Sequence, residues 1–136
     1  MVTEPQPPSA GLTLLVVDDS AMMRAMIKRV AHLTGVAIAS VLEASNGVEA
    51  LRVLEAHSID VLFTDINMPE MTGTELLREV VKHPEWNRII RVIVSTDGSE
   101  ARRAEVAGLN AHAYVEKPFR PEVMRDVLAQ VAPSGC

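Results

Sequence analysis

Residues 12–20 read LTLLVVDDS, a run of strand-forming, nearly all apolar residues that passes directly into two aspartates, Asp18 and Asp19. Lack of apolar/polar alternation suits a strand covered on both faces, as in a parallel sheet packed between helices. Three later segments repeat the pattern: VLFT ends at Asp65, RVIV at Ser95 and AYVE at Lys117. In a parallel α/β sheet all carboxyl ends open on one rim, where such folds place their ligands. The four polar endings therefore converge on one spot.

From Leu12 onward, strand-length apolar runs alternate with segments of helical period, the pattern of right-handed βαβ crossovers. Strands are expected at 12–17, 38–43, 61–64, 90–94 and 112–115. A first helix is expected over 20–33, with Met22, Met23, Met26, Ile27, Val30 and Leu33 as its apolar positions, its methionines filling core, and Gly35 as its stop. A second opens at Asn46 with Glu49 three residues on, a capping-box-like pair, and turns Val48, Leu51 and Leu54 inward. A third covers 73–82 and ends before Pro84, and a fourth covers 99–107 and closes at Gly108. The last starts near Pro121 and uses Val123, Val127, Leu128 and Val131 as its stripe. The expected fold class is α/β, a doubly wound five-stranded parallel sheet. Its commonest small strand order, 2-1-3-4-5, sets strand 1 beside strand 3 and brings Asp18 and Asp19 next to Asp65.

The chain has 136 residues, is 48% hydrophobic and carries a formal net charge of −5. That suits one domain, expected over 11–133, with residues 1–10 as a proline-containing, disordered leader. No stretch reaches the roughly 18 uninterrupted apolar residues of a membrane span, and MVTEPQPPSAG has no basic segment followed by an apolar one. A cytoplasmic protein without membrane contact is expected. The single cysteine, Cys136, allows no disulfide within the chain, and mild acidity without a basic cluster argues against nucleic acid as a partner. His32, His57, His83 and His112 lack ligand spacing and read as structural or exposed, and Trp86 reads as packing at a helix exit.

Two carboxylates about 5 Å apart repel by roughly 3 kcal/mol at an effective dielectric near 20, so an acidic trio needs cationic compensation. A hard divalent ion answers this. Magnesium, with manganese as a substitute, favours a few carboxylates plus water and phosphate oxygens, and Lys117 supplies a further positive charge. A carboxylate so screened can act as a nucleophile toward phosphorus. Asp65, alone at the end of a central strand, is the expected nucleophile. Asp18 and Asp19 form the metal pair, and Ser95 offers its hydroxyl to a phosphoryl oxygen.

LLVVDDSAMMR, FTDINMPEMTG, VSTDG and AYVEKPF together resemble the signature blocks of response-regulator receiver domains, and residues 12–131 fall within that family's usual extent. The resemblance implies a flavodoxin-like (βα)5 fold and a role as phosphoacceptor in two-component signalling, with a histidine kinase as donor. It implies Asp65 as phosphorylation site, and Asp18, Asp19, Asp65 and the Asn67 backbone carbonyl as metal ligands. Ser95 and Tyr114 become switch residues, Lys117 the phosphate-binding lysine, and Pro118 the cis-proline that aims it. Output is expected through a partner reading helix 4, strand 5 and helix 5, a surface taken to include Arg102, Arg103, Val106 and Glu116. The DDSxxMR start and Asn-Met-Pro stretch look most like the chemotaxis, CheY-like branch; a phosphorelay shuttle or a regulator of another pathway is the alternative.

Thr96 departs from the small residue common after the switch hydroxyl and is expected to narrow the approach to Asp65. Polar Asn67 and Asp97 are expected to shorten the phosphorylated lifetime. Rival functions fit less well. A haloacid-dehalogenase-type phosphatase needs an aspartate two residues after its nucleophile, where this chain has Asn67. A flavin or nucleotide binder needs a Gly-rich or Ser/Thr-rich phosphate loop after strand 1, where this chain has DDSAMMR. An adaptor without phosphorylation would have no need of the full acid, hydroxyl and lysine set.

Overall fold

The computed structural model describes residues 11–96, 99–117 and 120–130. The expected leader, Asp97, Pro118 and Val131 lie outside the described residues. The elements run β1 (Leu12–Val17), α1 (Ala21–Leu33), β2 (Ile38–Ala44), α2 (Gly47–Ala56), β3 (Val61–Thr64), α3 (Gly73–Val81), a 3₁₀ turn (Pro84–Trp86), β4 (Ile90–Ser95), α4 (Glu100–Ala107), β5 (Ala113–Glu116) and α5 (Pro121–Ala129). All strand pairs are parallel, and the order is β2-β1-β3-β4-β5, as expected. Strand 5 begins one residue later than the sequence suggests, because His112 makes its bonds to Arg91 before the ladder starts.

The missing alternation in β1 has a direct cause. Leu14 and Val16 face one core layer with Phe63, Val92, Ile27 and Leu128, while Leu15 and Val17 face another with Leu62, Leu54, Leu76 and Trp86. Both faces are dry, and each fully buried Leu or Val contributes about 1.5–3 kcal/mol relative to exposure. The edge strand β2, by contrast, is half open to solvent.

Helix ends follow the capping chemistry. Ser20, Asn46 and Ser99 accept the backbone N–H groups of Met23, Glu49 and Arg102. Thr72 and Glu75 form a reciprocal capping box at α3. At α2 the box is displaced by one residue: the Glu49 carboxylate accepts from Ser45 N–H and Oγ–H, not from Asn46. Its pKa falls below the usual glutamate value because of those bonds, the backbone one first. Gly35 follows α1 at φ +84, a conformation an L side chain resists.

The stripe expected on α1 is corrected. Ile27 and Ala31 are buried and Met23 and Val30 pack against the core, whereas Met22, Met26 and Leu33 are exposed at 78%, 49% and 63%. The exposed residues recur on a line about 100° away from the buried one around the helix, outside the arc that the sheet covers. On α5 the same rotation puts Met124 in the core and leaves Val123 exposed. Trp86 is buried in its 3₁₀ turn and lies against His83 with ring centroids 4.2 Å apart, as packing at the helix exit predicts.

Candidate metal and phosphoacceptor site

The β1–β3 pairing sets Val17 opposite Thr64, so Asp18 and Asp65 emerge side by side from adjacent strands. Carboxylate oxygens of Asp18, Asp19 and Asp65 lie within 4.8 Å of one another. Asp18 is buried, Asp19 exposed and Asp65 in between, giving a site closed at its base and open to solvent. Asp18 Oδ1 accepts Ser20 N–H at 2.9 Å, and Asp65 Oδ1 accepts Ile66 N–H at 2.7 Å. Lys117 arrives from the end of β5 and donates from Nζ to Asp18 Oδ2 at 3.0 Å and to Asp65 Oδ2 at 3.3 Å. Its side chain is only 10% exposed, so the ammonium meets its two acceptors away from bulk screening.

Three hard oxygen donors, one of them facing solvent, fit a magnesium ion that keeps part of its water shell. The acidic cluster thus has the donor chemistry of a magnesium site. Asn67 is exposed two residues beyond Asp65, and Thr96 is likewise exposed. Ser95 ends β4 and is 1% exposed, and the adjoining register pairs it with Glu116 and sets Tyr114 beside Ile93. All the described candidate residues thus lie on one rim or on the β4–β5 edge beside it.

Local backbone holds Asp65 in place. A Cβ on Gly73 would collide with the Asp65 carbonyl oxygen, so only glycine lets the start of α3 approach Asp65, and Gly73 N–H donates to Ile66 O at 2.8 Å. In the intervening loop Met71 N–H bonds to Pro69 O across Glu70, which has φ 66. That is the hydrogen bond of a γ-turn at a conformation strained for a side-chain-bearing residue.

Arg24 escaped the sequence reading. Its Nη1 donates to the Asp18 carbonyl at 2.6 Å, and its Nε to Glu43 at 2.9 Å. A second cation therefore braces the β1–α1 junction behind the acidic cluster. Only its place one turn into α1, six residues past Asp18, could have hinted at this.

The expected output surface is corrected at one position. Val106 is 2% exposed and belongs to a small core cluster with Ile66, Leu77 and Ile93. It floors a groove of about 190 Å³ whose walls include Arg103, His112 and Tyr114.

A doubly wound sheet with an acidic trio and a lysine on its carboxyl rim defines a class, and comparison with known proteins identifies it. The chain belongs to the response regulator receiver domain family, whose description matches residues 14–129. It is 38% identical over 125 residues to a chemotaxis protein CheY homolog of Campylobacter jejuni, spanning 91% of this chain and 95% of that one. It is also 38% identical over 121 residues to chemotaxis protein CheY1 of Helicobacter pylori, spanning 88% and 96%. Chemotaxis protein CheY4 of Vibrio cholerae superimposes with a TM-score of 0.79 at 30% identity, covering 89% of this chain and 98% of that structure. Receiver domains are signalling modules that pair with a histidine kinase and an effector. Among the described residues, no helix is long and apolar enough to cross a membrane.

Proposed function

We propose that this protein is a two-component response regulator that accepts a phosphoryl group on Asp65 from a kinase phosphohistidine and signals in chemotaxis. One observation carries the reading: Asp18, Asp19 and Asp65 share one site, with Lys117 bridging Asp18 and Asp65. An Asp65 carboxylate oxygen attacks phosphorus in line as the phosphorus–nitrogen bond breaks; the bond pair stays on the histidine ring, which departs as neutral imidazole because its other nitrogen carries a proton, and an aspartyl phosphate remains. A divalent ion held by Asp18, Asp19, Asp65 and the Asn67 carbonyl would screen the meeting negative charges. Lys117 exchanges its bond to Asp65 for one to a phosphoryl oxygen. Ser95 donates its hydroxyl to another, which draws it toward residue 65 and lets Tyr114 turn inward on the β4–β5 edge. Pro118 is assigned the role of aiming Lys117.

The chemotaxis assignment rests on the relatives, several of which are named chemotaxis proteins. An effector reading α4, β5 and α5 and a cytoplasmic location go with it. Exposed Thr96 is assigned a restraint on access to Asp65, and Thr96→Ala is expected to speed phosphorylation by small donors. Intact-mass measurement after incubation with acetyl phosphate tests the core of the proposal. Magnesium-dependent gain of one phosphate, absent in Asp65→Asn, is expected; steady turnover of general phosphomonoesters would point to a phosphatase instead.

A further inference from the structure

We propose that Arg103 is a positioning residue for Tyr114, holding its ring in the conformer that goes with an unmodified Asp65. The inference rests on the receiver reading above. The Arg103 guanidinium carbon lies 4.5 Å from the Tyr114 ring centroid, and Nη2 meets Glu116 Oε1 at 3.4 Å. Tyr114 and Glu116 are two apart on β5 and so share a face of the strand. One α4 side chain thus binds both neighbours. At 43% and 53% exposure the Arg103–Glu116 pair contributes little by itself. Its effect is to aim the guanidinium at the ring.

The ring also packs against the cluster of Ile66, Leu77, Ile93 and Val106. Ile66 directly follows Asp65 and donates to its carboxylate. The tyrosine therefore touches both a cation on α4 and an apolar cluster that begins beside the phosphoacceptor. Any rotation that carries the ring away forfeits the cation–π contact, while the conformer with Lys117 bonded to both Asp18 and Asp65 retains it. Arg103 consequently biases the equilibrium against the phosphorylated form. For an exposed cation–π pair the bias amounts to about two- to fivefold in population.

Tyr114 is the sole tyrosine, so isotope-labelled tyrosine gives one set of ring resonances to follow by NMR. Beryllofluoride with magnesium, which bonds a carboxylate oxygen as a phosphoryl group does, supplies the second state. Arg103→Gln should move the resting ring resonances toward their beryllofluoride-bound positions and tighten apparent beryllofluoride affinity about two- to fivefold. Arg103→Lys, which keeps a cation, should stay near the wild type in both. Unchanged ring resonances and affinity in Arg103→Gln, weaker affinity, or equal behaviour of the Gln and Lys variants would overturn the proposal. A wild-type protein that takes up no beryllofluoride would instead bring down the receiver reading, and this proposal with it.

Discussion

The two ends of the sheet solve opposite electrostatic problems. At the carboxyl rim, three carboxylates crowd together and one ammonium group bridges two of them. At the amino rim, the polar groups are stitched into the fold. Asp60 accepts Thr13 N–H at 2.8 Å, returns its own N–H to Thr13 O, and offers its carbonyl to Ile90 N–H, tying β1, β3 and β4 together. Arg91 is 6% exposed on β4, and its guanidinium donates to the carbonyls of Asn110, Ile89 and Trp86. Burial lowers its pKa from the ordinary arginine value, and neutral carbonyls answer the charge. His112 completes the set by accepting Arg91 N–H at Nδ1. Charge concentrated on like charge marks the end suited to chemistry; charge spent on main-chain carbonyls marks the end that stabilises the fold.

That contrast can be broken by substitution. The largest expected effect is Gly73→Ala, whose methyl meets the Asp65 carbonyl oxygen: about 3 kcal/mol lost in denaturant unfolding, as in severe overpacking, together with impaired phosphoacceptance. Arg91→Leu strands buried carbonyls and should cost about 2 kcal/mol of stability while leaving magnesium affinity, read by titration, unchanged. Asp19→Asn should do the reverse. Removing an exposed charge beside two others raises metal-free stability by at most about 1 kcal/mol and weakens magnesium binding. Glu70→Asn, better suited to φ 66, should add about 0.5 kcal/mol in thermal unfolding.

The smallest effect is a pH dependence. His112 keeps solvent-exposed surface, but its partial burial first, then the Arg91 charge, hold its pKa below the ordinary histidine value. The folded protein thus resists a proton that the unfolded chain accepts, so His112's contribution is fully present above the ordinary histidine pKa. It is lost as pH falls through that value toward the lowered one. His112→Gln should flatten this part of the unfolding curve across weakly acidic pH.

The same contrast explains what the sequence revealed. The upper rim was legible because it is built of side chains at strand ends: Asp18, Asp19, Asp65, Ser95 and Lys117 each terminate an apolar run, and parallel topology gathers them. Strand order followed from the commonest doubly wound arrangement. The lower rim was silent. Arg91 sits in IIRVIV as a lone charge, and its acceptors are main-chain carbonyls that leave no mark in the residue letters. Arg24 escaped for the same reason, its acceptor at Asp18 being a carbonyl. Met22 and Met26 were misplaced because six apolar residues on α1 cover a wider arc than one sheet can bury; Ala31, too small to register as an apolar signal, occupies the true centre of the contact. Val106 was misplaced because the exposed and core sides of an eight-residue helix differ by a single position.

The central claim is that the convergent carboxylates make Asp65, and no other residue, the phosphoacceptor. Borohydride reduces an aspartyl phosphate to homoserine and leaves free carboxylates untouched, so peptide mapping after acetyl phosphate treatment locates the modified residue. The account predicts homoserine at position 65 alone, only with magnesium present. Modification at Asp18, Asp19 or another residue, or equal modification in the presence of a chelator, would contradict it.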